Sequence, residues 1–179
     1  ILDVQHLKIT FPDQSATDPT VQTAAVKGID FTLKRGEILG IVGESGSGKS
    51  VTSLGIMGLE PTPGNVAPDS KIEFYPQDQA QPVNLVPLPE RQKRQYRGGK
   101  IAMIFQEPMT ALNPVMTIGS QIDEVFRYHE KMPARERRQR ASQLLDDVHL
   151  PDPDQTLRAY PHELSGGQRQ RAMIAMALA

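Results

Sequence analysis

Apolar and polar residues alternate from the start of the chain. Leu2 and Val4, then Leu7, Ile9 and Phe11, are separated by polar or charged neighbours. A period of two predicts a half-buried strand. Residues 12–23 are rich in Pro, Asp, Ser and Thr and predict a loop. Ile29, Phe31 and Leu33 resume the alternation, and Arg35-Gly36 reads as a turn. The run Ile38-Leu39-Gly40-Ile41-Val42 is continuously apolar, as in a parallel strand covered on both faces. A helix is predicted over 48–59, stopped near Gly58 and Pro61. Residues 60–70 hold three prolines and a glycine and read as a linker. Lys71–Tyr75 alternates weakly, 76–89 is another polar loop, and Ile101–Phe105 is a second candidate buried strand. From residue 116 the period changes to that of a helix. Ala141, Leu144, Leu145 and Val148 form one apolar face. There is no internal repeat. The pattern predicts an α/β core, an antiparallel N-terminal patch and a helical lobe between about 115 and 160.

Composition narrows this reading. The chain has 179 residues, enough for one domain or a domain with a small lobe. A net charge of −1 does not favour a nucleic-acid partner. Two basic runs (Arg91, Lys93, Arg94, Arg97 and Arg135, Arg137, Arg138, Arg140) lie among Glu130, Glu136, Asp146 and Asp147 and read as solvated faces. The absence of cysteine leaves no disulfide framework and no thiolate metal site. No apolar run approaches the ~18 residues of a membrane span. The N-terminus has no basic and apolar segments of a signal peptide, and its first residue is Ile1, as in a processed or excerpted chain.

The chemistry is concentrated in glycines. Gly43-Glu44-Ser45-Gly46-Ser47-Gly48-Lys49-Ser50 fits the pattern G-x-x-x-x-G-K-[ST], placed between a predicted strand and a predicted helix. Glycines let the backbone curl so that successive N–H groups face phosphate oxygens. The helix N-terminus adds partial positive charge. Lys49 supplies an ammonium for the β- and γ-phosphates, and Ser50 a hydroxyl for Mg²⁺. A second cluster, Leu164-Ser165-Gly166-Gly167-Gln168, precedes another predicted helix. Ser165 is a natural N-cap. Two glycines weaken a first turn, so their presence suits close approach by an anion.

These motifs resemble those of ATP-binding-cassette (ABC) ATPases. Gly43–Ser50 is similar to their Walker A loop and Leu164–Gln168 to their signature motif. Gln106, after Ile101–Phe105, is similar to their Q-loop glutamine. The resemblance covers essentially the whole chain, with the motifs in family order. It implies a P-loop NTPase (RecA-like) α/β fold. Residues 1–114 would form the core with its antiparallel β subdomain, 115–163 a helical subdomain, and 164–179 the signature motif and helix. It further implies ATP and Mg²⁺ as cofactors and a head-to-tail dimer with a second ABC ATPase subunit. There, Ser165, Gly166, Gly167 and Gln168 of one subunit face the γ-phosphate held by Lys49 and Ser50 of the other. Val51 stands where threonine is commoner. Gln106 would reach Mg²⁺ or the attacking water and couple to a membrane partner. Phe11 is the candidate for the aromatic that stacks on adenine.

The stretches Gly40–Ser50, Ile101–Pro114 and Tyr160–Ser165 resemble the ATPases of bacterial di- and oligopeptide importers, a group whose relatives carry nickel or glutathione. The implied setting is the cytoplasmic face of the bacterial inner membrane. The implied partners are integral-membrane permease subunits and, indirectly, an extracytoplasmic solute-binding protein, with no nucleic acid. An ABC ATPase outside transport and a nucleotide-binding fragment without hydrolysis are the alternatives. In the family the signature helix leads to an apolar strand ending in Asp-Glu, and then to a switch histidine. Residues 1–179 reach neither. Asp146-Asp147 and Asp123-Glu124 read as helix surface, His162 precedes the signature, and His6, His129 and His149 have no ligand spacing. The expectation is an ATPase as the parent protein and little hydrolysis by these residues alone. An uncovered apolar sheet face is also expected.

Overall fold

The computed structural model describes the chain except for residues 14, 16, 17, 19 and 107–110. It divides into two compact units, Ile1–Arg94 and Gln95–Ala179.

The first unit is built on an antiparallel sheet. β1 (Leu2–Pro12) pairs with β2 (Gln22–Leu33) along its whole length. On its other edge it pairs with β3 (Asn65–Val66) and β4 (Lys71–Phe74), and β4 pairs with β5 (Val83–Asn84). The break in alternation between Val4 and Leu7 is a bulge. His6 has φ 50°, its N–H donates to Asp30 Oδ1 at 2.9 Å, and its carbonyl accepts from Ser70 Oγ at 3.0 Å. Ser70 Oγ also accepts from the Lys8 amide at 3.1 Å, so this buried hydroxyl bridges both sides of the bulge. The extra residue returns Leu7 and Ile9 to the face that buries Val4. Val26, Ile72 and Phe74 complete that apolar face.

Helix α1 (Lys49–Met57) lies against β1, where a Cβ on Gly55 would stand 2.3 Å from Ile9 Cδ1. It stops at Gly58, as predicted: the Gly58 and Leu59 amides return to the Gly55 and Leu54 carbonyls at 3.0 and 2.8 Å. A short helix, α2 (Glu90–Lys93), closes the unit. Two predicted loops contain the short strands β3 and β5, which close sheet edges left by β1 and β4.

The run Ile38–Val42 departs from its prediction. It forms no strand, and Ile38 and Val42 are 96% and 93% exposed. A parallel strand is stable only with hydrogen-bonded neighbours on its edges and cover on its faces. Among the described residues no strand pairs with this segment.

The second unit is helical: α3 (Ile118–His129), α4 (Ala134–Asp147), α5 (Pro153–Arg158), a 3-10 turn at Pro161–Glu163, and α6 (Gly166–Leu178). Ile118, Ile122 and Phe126 of α3 meet Ala141, Leu144 and Leu145 of α4, Leu157 of α5, and Ala172, Met173 and Ala175 of α6 in one core. Val148 packs against that core, half-buried, so the predicted apolar face of α4 is the one observed. Arg137 is not part of a solvated basic face. It pairs with Asp123 of α3 and donates to the Met132 carbonyl at 2.7 Å. Arg135, Arg138 and Arg140 are exposed.

The second predicted buried strand is also not formed. Ile101 makes one isolated bridge with Arg97, residues 102–105 are irregular, and Ile104 and Phe105 are exposed. The reason is the same: among the described residues no neighbouring strand covers an edge of this segment.

Candidate functional site

The loop Gly43–Gly48 leads directly into α1. Gly48 has φ 93°, and a Cβ there would stand 2.4 Å from the Ala25 carbonyl oxygen of β2. Only glycine satisfies both the left-handed backbone and this close approach. The loop tightens through the Ser47 amide, which donates to the Glu44 carbonyl at 3.2 Å. A Cβ on Gly43 would fill the space 2.6 Å from Ser47 Oγ.

Lys49 turns back into the loop. Its ammonium donates to the carbonyls of Gly43 at 2.8 Å and Glu44 at 2.6 Å, with Ser47 Oγ at 3.3 Å. The α1 N-terminus has no side-chain cap, and its first turn holds no acidic residue. α2 and α4 likewise lack a side-chain cap, whereas α3, α5 and α6 are capped by Thr117, Asp152 and Ser165. An exposed loop and an uncapped helix start with an ammonium beside them have the chemistry that suits an anion. The exposed Ser50 and half-buried Val51 occupy the first turn of that helix. Polyphosphate chemistry fits these donors: backbone N–H groups and one ammonium, with the Ser50 hydroxyl available to a divalent cation. Among the described residues no group of three or more acidic, histidine or cysteine side chains could hold a metal ion.

Phe11 lies half-buried near the end of β1, with Thr23 of β2 as its register partner. Ala25, whose carbonyl abuts Gly48, is two residues along β2, or about 7 Å at strand rise. The sheet therefore carries Phe11 to the same region of this unit as the phosphate loop.

In the second unit Ser165 caps α6. The Gln168 amide donates to Ser165 Oγ at 3.3 Å, and Gln168 Oε1 accepts from the Ser165 amide at 2.8 Å. A Cβ on Gly166 or Gly167 would meet nothing within 4 Å, so packing within the chain does not require either glycine. A pocket of about 360 Å³ lies beside this turn, lined by Asp152, Gln155, Arg158, Glu163 and Gln168 among others. Tyr160 and His162 stack at 5.7 Å upstream of it. Gln106 is an exposed residue at a bend after Phe105. Of the stretch Ile101–Pro114, residues 107–110 lie outside the described residues.

Sequence reasoning missed Gln121. It is 5% exposed, accepts from the Asn113 amide at 2.9 Å and donates to the Asn113 and Met116 carbonyls at 3.1 and 3.0 Å. It fixes the turn that follows the Gln106 segment. Its only sequence signal was a polar residue beside the apolar stripe of α3.

The first unit thus carries a glycine loop opening an uncapped helix, and the second a glycine pair at the start of another helix. Residues 26–179 match the model of the ABC transporter family, and the chain belongs to that family. It is 49% identical over 179 residues to the dipeptide transport ATP-binding protein DppD of Escherichia coli K12, covering 100% of this chain and 51% of that protein. It is 47% identical over 178 residues to the oligopeptide transport ATP-binding protein AppD of Bacillus subtilis, covering 99% and 51%. The chain thus spans about half the length of these relatives. Among solved structures, the dimeric bacterial ABC transporter cassette MJ0796 superposes with a TM-score of 0.82 at 26% identity, covering 100% of this chain and 69% of that one. A post-hydrolysis dimer of MJ0796 bound to ADP and Pi matches with the same score, identity and coverage. The P-loop NTPase fold class is therefore the observed one. Among the described residues no helix is long and apolar enough to cross a membrane.

Proposed function

We propose that this chain carries the ATP-binding part of a subunit of a bacterial ABC importer for peptides or a related small solute. The observation that carries this reading is the loop Gly43–Ser50, which opens a helix start with no side-chain cap and holds the Lys49 ammonium against its own carbonyls. Its likeness to DppD and AppD supplies the solute class.

In this reading the loop amides and Lys49 bind the phosphates of ATP, Ser50 offers its hydroxyl to Mg²⁺, and Phe11 stacks on adenine. Bound MgATP supplies the phosphoanhydride whose cleavage drives transport. Lys49 must leave the Gly43 and Glu44 carbonyls to reach the phosphates, and its ammonium then offsets negative charge as the γ-phosphoryl group departs. Gln106 positions water or Mg²⁺ and relays the state of the site to the membrane subunits.

A second copy or a homologous subunit would present Ser165, Gly166, Gly167 and Gln168 to the γ-phosphate; the MJ0796 cassette is dimeric. The open space at both glycines supports that docking. The 115–163 segment acts as the helical subdomain that carries the signature turn. Permease subunits in the membrane hold the dimer at the cytoplasmic face, and a solute-binding protein outside delivers cargo to them. Residues 1–179 supply nucleotide binding.

The test is uptake. Cells relying on the parent protein that contains these residues should import labelled dipeptide with the wild-type sequence and fail with Lys49→Ala. Undiminished uptake with Lys49→Ala would exclude the reading.

A further inference from the structure

The turn at Pro61–Gly64, within the segment predicted to be only a linker, sits against Phe11. β3 begins at Asn65, which pairs with Thr10, so the register brings Gly64 beside Phe11. A Cβ on Gly64 would stand 2.5 Å from Phe11 Cε1 and 2.8 Å from Cζ, and 2.7 Å from the Pro61 carbonyl. The Gly64 amide donates to that same carbonyl at 2.7 Å, which fixes the turn. The outer edge of the Phe11 ring thus occupies the volume a side chain at 64 would need. The constraint on Gly64 is space.

We propose that Gly64 is a positioning residue for adenine recognition: its missing side chain lets the Phe11 ring take the orientation that stacks on the base of ATP. This rests on the reading of Phe11 as the adenine platform. A base–aromatic stack has a limited reach, and its strength depends on ring orientation. A methyl group at position 64 turns or lifts the ring at the edge that now touches the glycine. The phosphate loop, anchored through Gly48 on β2, does not depend on that contact. The defect should therefore fall on base recognition and spare phosphate binding.

The experiment compares MgATP with magnesium tripolyphosphate, which lacks a base, in the full chain carrying Gly64→Ala, Phe11→Ala or both. Gly64→Ala should weaken MgATP about tenfold, leave tripolyphosphate unchanged, and add nothing in the Phe11→Ala background. Undiminished MgATP affinity, equal weakening of both probes, or the same loss without the Phe11 ring would overturn the proposal. If Phe11→Ala itself leaves MgATP affinity intact, the stacking assignment falls and this inference falls with it. One measurement needs no variant. In the wild-type protein bound to MgATP, nuclear Overhauser contacts should join the Phe11 ring both to adenine protons and to the Gly64 α-protons. Adenine contacts without Gly64 contacts would overturn the proposal and leave the stacking assignment standing.

Discussion

Ser165 and Gln168 hold each other across the first turn of α6, each side chain bonded to the other's backbone amide at 3.3 and 2.8 Å. The reciprocal pair is a complete helix cap, and the proposed function asks the same serine to face a phosphate on a second subunit. Two substitutions separate these roles. Ser165→Ala should lower stability by about 1 kcal/mol through loss of the cap. Ser165→Asp keeps an equivalent cap, and its stability to urea should stay within about 0.5 kcal/mol of wild type. Its carboxylate would oppose the phosphates, so MgATP-dependent dimerisation, followed by light scattering, should be lost. A Ser165→Asp protein that still dimerises would remove the signature turn from the interface.

Gly48 tests the geometry of the Gly43–Ser50 loop. Gly48→Ala forces a side chain onto a backbone at φ 93° and against the Ala25 carbonyl. The conformational term alone costs about 1–2 kcal/mol. Relief of the contact must move the loop away from β2. MgATP affinity measured by calorimetry should fall more than the urea stability does.

Arg137 and Asp123 clamp α4 to α3, with the Arg137 side chain 17% exposed. Arg137→Ala leaves the Asp123 carboxylate and the Met132 carbonyl without their donor. It should cost about 1–3 kcal/mol in urea unfolding. Arg137→Lys should recover only part of this, since an ammonium cannot reproduce the forked contact. Arg138→Ala, at an exposed position, should be neutral within about 0.5 kcal/mol.

Gln121 satisfies three backbone groups at once. Gln121→Leu keeps the helix and the volume but takes their partner from the Asn113 amide and the Met116 carbonyl, and leaves the Asn113 carbonyl only the Met116 amide at 3.3 Å. The expected loss is about 1–3 kcal/mol. Hydrogen exchange of the Asn113 amide should rise.

Much of this structure is legible in the chain because its causes are local. The phosphate loop, the Gly58 stop of α1, the Ser165 cap and the apolar face of α4 each follow from short-range residue chemistry. The bulge at His6 was visible only as a skipped beat between Val4 and Leu7, because its cause, Ser70 and Asp30, lies far along the chain. Ile38–Val42 and Ile101–Phe105 show the opposite limit. Their composition suits buried parallel strands, yet a strand exists only with its neighbours, and the described residues provide none for either run. Gly64 was hidden in a proline-rich stretch because its constraint comes from a ring fifty-three positions earlier.

The central claim is that Gly43–Ser50 binds the phosphates of ATP through Lys49. Calorimetric titration with MgATP of the wild-type chain and of Lys49→Ala tests it most directly. Saturable binding by the wild type is predicted. Lys49→Ala should weaken it at least about tenfold, as loss of a charge-assisted contact requires, with little change in stability because the Lys49 bonds are exposed. Equal affinity of the two proteins, or no binding by either, would contradict the account.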